Sequence, residues 1–203
     1  MSRISRHASF AVLCGAAAFV AACSKGEDKA EAAKDSATAA PAVAATPATA
    51  PAAAPALTDP NIVAILDGAN MADSSAGSVG AMKGTSADVR SFAKDMMRDH
   101  HALRVAGQDL AKKLNVTPEM PAGDNSAAAA TAWHDSLGTM AKGPAFDKAY
   151  IDHEVTYHQA VLATAQAALG AAQNAELKAL ITKAAPNIEA HLKHAQAIQS
   201  KMK

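Results

Sequence analysis

The chain has 203 residues, with 19 basic and 19 acidic side chains, half of its residues apolar but only 3 % aromatic. That length fits one domain plus extensions. A balanced charge gives no electrostatic basis for binding nucleic acid, and alanine-dominated apolar content without runs of alternating Val, Ile or aromatic residues leaves no strand candidate. The N-terminus reads as an export leader: Arg3 and Arg6 form a basic start, and residues 8–22 are apolar and uncharged. That apolar run is too short to cross a bilayer, which takes about 20 apolar residues, and it ends in small residues, as a signal peptide does.

Val20, Ala21, Ala22 and Cys23 end that run, and the sequence resembles the bacterial lipobox. The resemblance implies a signal peptide over residues 1–22, cleavage before Cys23 and lipid attachment to it. Ser24 in place of Asp then implies sorting to the outer membrane, facing the periplasm. Cys14 leaves with the leader, so the mature chain has no disulfide and no thiol chemistry, and must be held by packing. Loss of Arg3 and Arg6 moves the formal charge from zero to about −2. The rest of the 23–57 segment is charged at first and then Ala/Pro-rich, with prolines at 41, 47, 51 and 55. It reads as a disordered tether with too few bulky apolar residues to form a core.

The domain of 58–203 reads as all helical. Thr58, Asp59 and Pro60 form a helix start, which predicts α1 to Lys83 with Gly84 as its stop. Ser86 starts α2, which Asn115 and Pro118 end near residue 114. A short α3 covers 126–141, and Gly143-Pro144 closes it. Helix α4 follows over 145–169 and α5 over 174–202, with Pro186 inside α5. Short α1–α2 and α4–α5 turns and a long α2–α4 connection predict a four-helix bundle with one crossover, the ferritin-like arrangement.

Helical wheels place an ionisable residue on the inner face of every long helix. Helix α1 buries Ile62, Val63, Leu66, Gly77 and Ala81, with Asp73 in the stripe and Asn70 close by. Helix α2 buries Val89, Phe92, Met96, Leu103, Leu110 and Leu114, with Asp99 central, His100 at one edge and His101 pointing away. Helix α4 brings Glu154, with Asp147 and His158 on the same strip and Phe146, Tyr150, Ile151 and Tyr157 around them. Helix α5 brings His191 centrally and His194 at its edge. At 1.5 Å per residue, Asp73 and Asp99 stand ~16 and ~22 Å from the first turn, and His158, Glu154 and His191 ~21, ~27 and ~28 Å from the second. These heights allow one mid-bundle layer. Dry charges must be paired, protonated or metal-bound.

Two readings of that layer stand. Asp73, Asp99, His100, Glu154, His158 and His191 could ligate iron, zinc, manganese or copper, a mixed set that does not choose among them, with Asn70, Asp147, Tyr150 and Tyr157 supporting from behind. Alternatively, the same groups form a metal-free network that fixes the bundle, a structural or protein-interaction module. A hydrolase lacks support: there is no nucleophile elbow, cysteine nucleophile or zincin motif. Trp133 reads as the crossover's anchor. His153 reads as solvated or peripheral, His134 has no evident partner, and Met82, Met96, Met97, Met120 and Met140 are too scattered for a copper site.

Several spaced motifs carry a family resemblance. They are the segment Val89 to His100, Phe146-Asp147-x-x-Tyr150 with Glu154-Val155-x-x-His158, and Pro186-x-x-x-x-His191-Leu192-x-x-Ala195. Across 60–200 the sequence resembles the bacterial family called domain of unknown function 4142. The resemblance implies a ferritin-like, exported protein, some members being labelled predicted outer membrane protein, and no established biochemical role. The family's Asn-x-x-Glu in the first helix is here Asn70-x-x-Asp73, shorter by one methylene. Ferritin-like dimetal centres use Glu-x-x-His pairs, whereas Glu154 and His158 are four apart, which leaves mononuclear and dinuclear arrangements both open.

Overall fold

A computed structural model of the chain describes residues Leu57–Met202. The expected leader, the lipidation at Cys23 and the tether as far as Ala56 lie outside the described residues.

Five helices follow in order: α1 (Asp59–Lys83), α2 (Ala87–Lys113), α3 (Ser126–Thr139), α4 (Pro144–Ala171) and α5 (Ala175–Lys201). The expected helices are all present, with ends within two residues of the expected ones. Thr58 caps α1 in a capping box: its side chain accepts from Asn61 N–H, and the Asn61 side chain accepts from Thr58 N–H. Helix α2 ends at Asn115, which takes the left-handed conformation (φ 54°). Val116 N–H then reaches back to the Ala111 carbonyl at 2.9 Å, the six-to-one bond of a Schellman stop. Asn174 caps α5 by accepting from Glu176 and Leu177 N–H, and α5 runs on through Pro186.

The helices form a ring in which α1 packs on α2 and α4, and α5 on α2 and α4. Their directions follow from polar contacts at the two ends. Asp147, at the start of α4, binds the α1–α2 turn: its carboxylate accepts from Thr85 N–H (2.8 Å), Thr85 Oγ1 (2.7 Å) and Ser86 N–H (2.7 Å). Asp59, at the start of α1, does the same for the α4–α5 turn, accepting from Gln173 N–H (2.8 Å) and Asn174 N–H (3.0 Å). Lys201 pairs with Asp88 at one end and Lys113 with Glu176 at the other. Neighbours in the ring are therefore antiparallel, α2 and α4 run the same way, and α3 sits in the crossover that this requires.

Two apolar cores occupy the bundle axis. One gathers Val89, Phe92, Met96, Leu137, Phe146, Tyr150, Ile151 and Ile198, and the other Ile62, Val63, Ala165, Ala168, Leu177 and Ile181. Leu66, Leu103, Leu110, Leu114 and Ala81, expected inside, are half-buried at the edges. Helix α3 joins the first core through fully buried Leu137 and half-buried Trp133.

Small residues set how closely α1 and α2 approach. A Cβ on Gly77 would lie 2.8 Å from the Ala93 carbonyl oxygen and 3.0 Å from Met97 N, both backbone atoms that cannot step aside cheaply. Gly84 ends α1 without the left-handed turn that its glycine suggests: its φ is −55°. Its smallness is required because a Cβ would meet the Gly80 carbonyl oxygen at 2.7 Å. Gly77→Ala should therefore lower unfolding stability by about 1–3 kcal/mol, the range for overpacking. Gly68→Ala, where a Cβ meets nothing within 4 Å, should raise it by roughly 0.5–1 kcal/mol by removing helix-interior glycine. Urea titration of both variants checks the sign and the gap.

Candidate metal centre

Between the two cores lies a polar layer contributed by all four long helices. Asp73 comes from α1, His100 from α2, Glu154 and His158 from α4, and His191 from α5. The first four are at most 2 % exposed and His191 is 6 % exposed. Their placement follows from helical spacing. Glu154 and His158 are one turn apart on one face. His191 continues the stripe of Ile181, Ile188, Ala195 and Ile198, and Asp73 precedes the Ala76–Gly77–Val79–Gly80 contact surface.

The three imidazoles form a near-equilateral triangle. Ring centroids are 5.5 Å apart for His100–His158, 5.2 Å for His100–His191 and 5.6 Å for His158–His191. One nitrogen atom from each of the three lies within 4.8 Å of the others, and so do single ligand atoms of Asp73, Glu154 and His158. His100 Nε2 is 3.4 Å from Asp73 Oδ2, and His158 Nδ1 is 3.4 Å from Glu154 Oε2.

Each ring is turned by a hydrogen bond on its far side. Asn70 Nδ2 donates to the Leu66 carbonyl at 2.7 Å, which directs the amide oxygen at His100 Nδ1, 2.9 Å away. His158 Nδ1 lies 2.9 Å from the Glu154 backbone carbonyl. His191 Nε2 lies 3.0 Å from Asp99 Oδ2. All three partners are acceptors, so in each neutral ring that nitrogen carries the single proton. The remaining nitrogens, His100 Nε2, His158 Nε2 and His191 Nδ1, then present bare lone pairs. They are buried without a hydrogen-bond partner, as are Asp73 Oδ2 and both Glu154 carboxylate oxygens.

The electrostatics agree with this tautomer assignment. Burial, reinforced by His158 and His191, drives His100 down to about 3, and burial drives His158 down to about 4. His191 is lowered as well, burial outweighing the Asp99 contact. The rings are therefore neutral at ordinary pH. Burial pushes Asp73 up to about 8, and burial together with Asp73 pushes Glu154 well above the usual carboxylate range.

The remaining sequence candidates fall in different places. Asn70 stands behind His100, as described. Tyr150 is buried beside the layer with its hydroxyl towards Glu154, and burial, then the charge of Glu154, raises it well above its ordinary value. Tyr157 donates to the Ala69 carbonyl at 3.3 Å and meets His158 edge-on. Two candidates are corrected. Asp99 is not in the layer: it is 22 % exposed and lies outside His191, between that ring and Arg98. Partial burial is outweighed there by Arg98 and His191, which hold its carboxyl below the usual range. The wheel misplaced it because it counted only large apolar residues. The buried stripe of α2 also contains Ala93 and Ala111, and including them turns its centre to His100. Asp147 does not support the centre either, being committed to the α1–α2 turn. His153, expected at the periphery, is half-buried and stacked on Trp133 at 4.1 Å, and burial lowers it to about 4. Sequence reading missed a polar clamp beside the layer: Arg104 (3.1 Å) and Gln108 (2.7 Å) both donate to Asp67 Oδ1. Its signal was Arg104, one turn beyond His100.

Comparison with known proteins places the fold. A family model described as "Domain of unknown function (DUF4142)" matches residues 44–198. No curated protein gives a match. A crystal structure of a DUF305 fragment from Deinococcus radiodurans superposes with a TM-score of 0.62 at 14 % identity, over 70 % of this chain and 95 % of that one. At that identity the likeness shows a shared helical fold.

Asp147→Ala leaves Thr85 and Ser86 N–H without their acceptor and should cost about 1–3 kcal/mol of stability. The same substitution should leave the polar layer intact. Thermal melting, together with the histidine ring signals in NMR spectra, tests both halves.

Proposed function

The chain belongs to the DUF4142 family, and we propose that its bundle is a transition-metal-binding domain carried at the cell envelope by a lipid on Cys23. One observation carries the metal reading: three imidazoles and two carboxyls from four helices face one another in a buried layer, and the inward nitrogen of each imidazole has no hydrogen-bond partner. A divalent cation fits that set. Its charge cancels two carboxylates, so the loaded layer is neutral overall, and every bare lone pair gains a partner. Histidines that donate their other N–H to a carboxylate, carbonyl or amide oxygen are the usual form of metal-ligating imidazoles.

The residues that would hold the ion are Asp73, His100, Glu154, His158 and His191, with Asn70, the Glu154 carbonyl and Asp99 fixing the rings. An ion needs about 2.0–2.2 Å to each atom; the two triads that share His158, His100–His158–His191 and Asp73–Glu154–His158, each bring their ligand atoms within 4.8 Å of one another. Mixed imidazole and carboxylate donors suit iron, zinc, manganese or copper. A metal-free network accounts for the layer less well. Protons shared among Asp73, Glu154 and Tyr150 would satisfy the carboxyls, but the inward imidazole nitrogens stay unpaired, and Asp73–His100 stands at 3.4 Å, too long for a good hydrogen bond.

The anchoring part of the proposal rests on the sequence around Cys23. No described helix is long and apolar enough to cross a membrane, so the lipid would supply the attachment, with the domain facing the periplasm from the outer membrane.

Protein purified after export through its own leader should contain near one equivalent of transition metal by elemental analysis. His158→Ala should reduce that to background. Asn70→Leu and Asp99→Asn, which free the far sides of His100 and His191, should weaken affinity by roughly 10–100-fold, and exposed His101→Ala should leave it unchanged. A metal-free protein whose His158→Ala variant only melts earlier would sink the metal reading. Separately, Cys23→Ala should move the chain from the membrane fraction to the soluble periplasmic one; wild type already recovered in the soluble fraction would count against the lipid.

A further inference from the structure

The layer is not sealed on both faces. Towards the first core, Phe92 closes it, its ring edge-on to His158 at 6.5 Å. Towards the second core there is a cavity of about 50 Å³ along the bundle axis. Asp73 and His100 form its polar inner wall, Leu66, Leu103, Val161, Ala165 and Ile181 its apolar sides, and Asp67 with Arg104 its surface end. Those last two are 26 % and 33 % exposed and paired at 3.1 Å.

We infer that this cavity admits a small uncharged molecule, a diatomic of the dioxygen or nitric oxide class, to the Asp73 and His100 side of the layer, where a bound metal would meet it. The inference rests on the metal-binding reading and adds what the centre takes. Structural metal sites are closed by protein ligands, whereas reactive ones keep a position free, and a void lined by Asp73 and His100 would leave space beside a bound metal. Size limits the guest. A single water needs roughly 10–15 Å³, so about 50 Å³ limits the guest to a few heavy atoms. Chemistry limits it further. The apolar sides offer an ion of either sign nothing in place of its hydration, and the one cation in the lining, Arg104, is committed to Asp67.

The test uses the full chain loaded with iron(II) without oxygen, and nitric oxide as probe. Wild type should give a nitrosyl absorption and spin-resonance signal at near one nitric oxide per iron, and azide should give no change. Ala165→Leu narrows the cavity from α4. Gly107→Leu does so from α2, at a position where a Cβ meets nothing within 4 Å, which guards against one variant failing to fold. Both should keep their iron and slow nitric oxide binding by roughly tenfold or more, since a blocked path acts on the association rate. Unchanged rates in both variants, or azide competing with nitric oxide, would overturn the inference. Xenon reads the cavity independently of any metal: xenon-pressurised crystals should show an atom between Leu66 and Ala165, absent in Ala165→Leu. A chain that takes up xenon but no iron defeats the metal reading. One that binds iron but neither xenon nor nitric oxide defeats the cavity alone.

Discussion

Two carboxyl groups and three imidazoles held dry at the middle of a helical bundle are the constraint around which the rest is organised. Dry ionisable groups are expensive unless something compensates them, and the inward nitrogens of the three imidazoles have no hydrogen-bond partner. The surrounding structure does something more specific than tolerate them. A helix carbonyl turns Asn70, Asn70 turns His100, the backbone of α4 turns His158, and Asp99 turns His191. Each device spends the ring's one proton on the outside and leaves the inside basic. Packing supports the arrangement from both ends, because the polar layer is one slice between two apolar cores. Alanine and glycine let α1 and α2 approach closely enough for residues on different helices to meet.

Much of this was legible in the sequence, because helix ends and helical period are local signals. Thr58-Asp59-Pro60, Asn115 and Asn174 mark where helices begin or stop, and loop lengths then dictate antiparallel hairpins and one crossover. That Asp73, Glu154, His158 and His191 could share one layer followed from rise per residue alone. The exchange of Asp99 for His100 shows where such reading gives out. Rotation about a helix axis depends on which small residues face inward, and Ala93 and Ala111 carry no hydrophobic signal strong enough to announce it. Asp147 was opaque for another reason: its partners, Thr85 and Ser86, are about sixty positions away in sequence, and nothing local distinguishes it from an acid that favours a helix start. Tautomers and ring directions are likewise products of tertiary contact.

The crossover has more structure than a connection needs. Leu137 is fully buried in the first core, and Trp133 lies flat on His153, which in turn stacks on Tyr157 at 5.4 Å. The Lys83 side chain donates to the Gly138 carbonyl, so α3 is also tied to the end of α1. This aromatic stack reaches from the crossover to the edge of His158, and it explains why burial, and not a charged partner, dominates the behaviour of His153. The shared fold with the DUF305 fragment shows that the architecture is compatible with very different sequence; the chemistry of the layer belongs to these residues.

The two hairpins hold one another reciprocally: Asp59 of the first satisfies the second's turn, and Asp147 of the second satisfies the first's. Neither turn has its backbone donors filled until its counterpart has docked, so a lone hairpin would expose amides as well as an apolar flank. Assembly of the domain is thereby made all-or-none, with no half-built form worth populating. The described residues contain no cysteine, and such mutual dependence takes the place of covalent cross-links: a partly opened form must give up the bonds at both ends together.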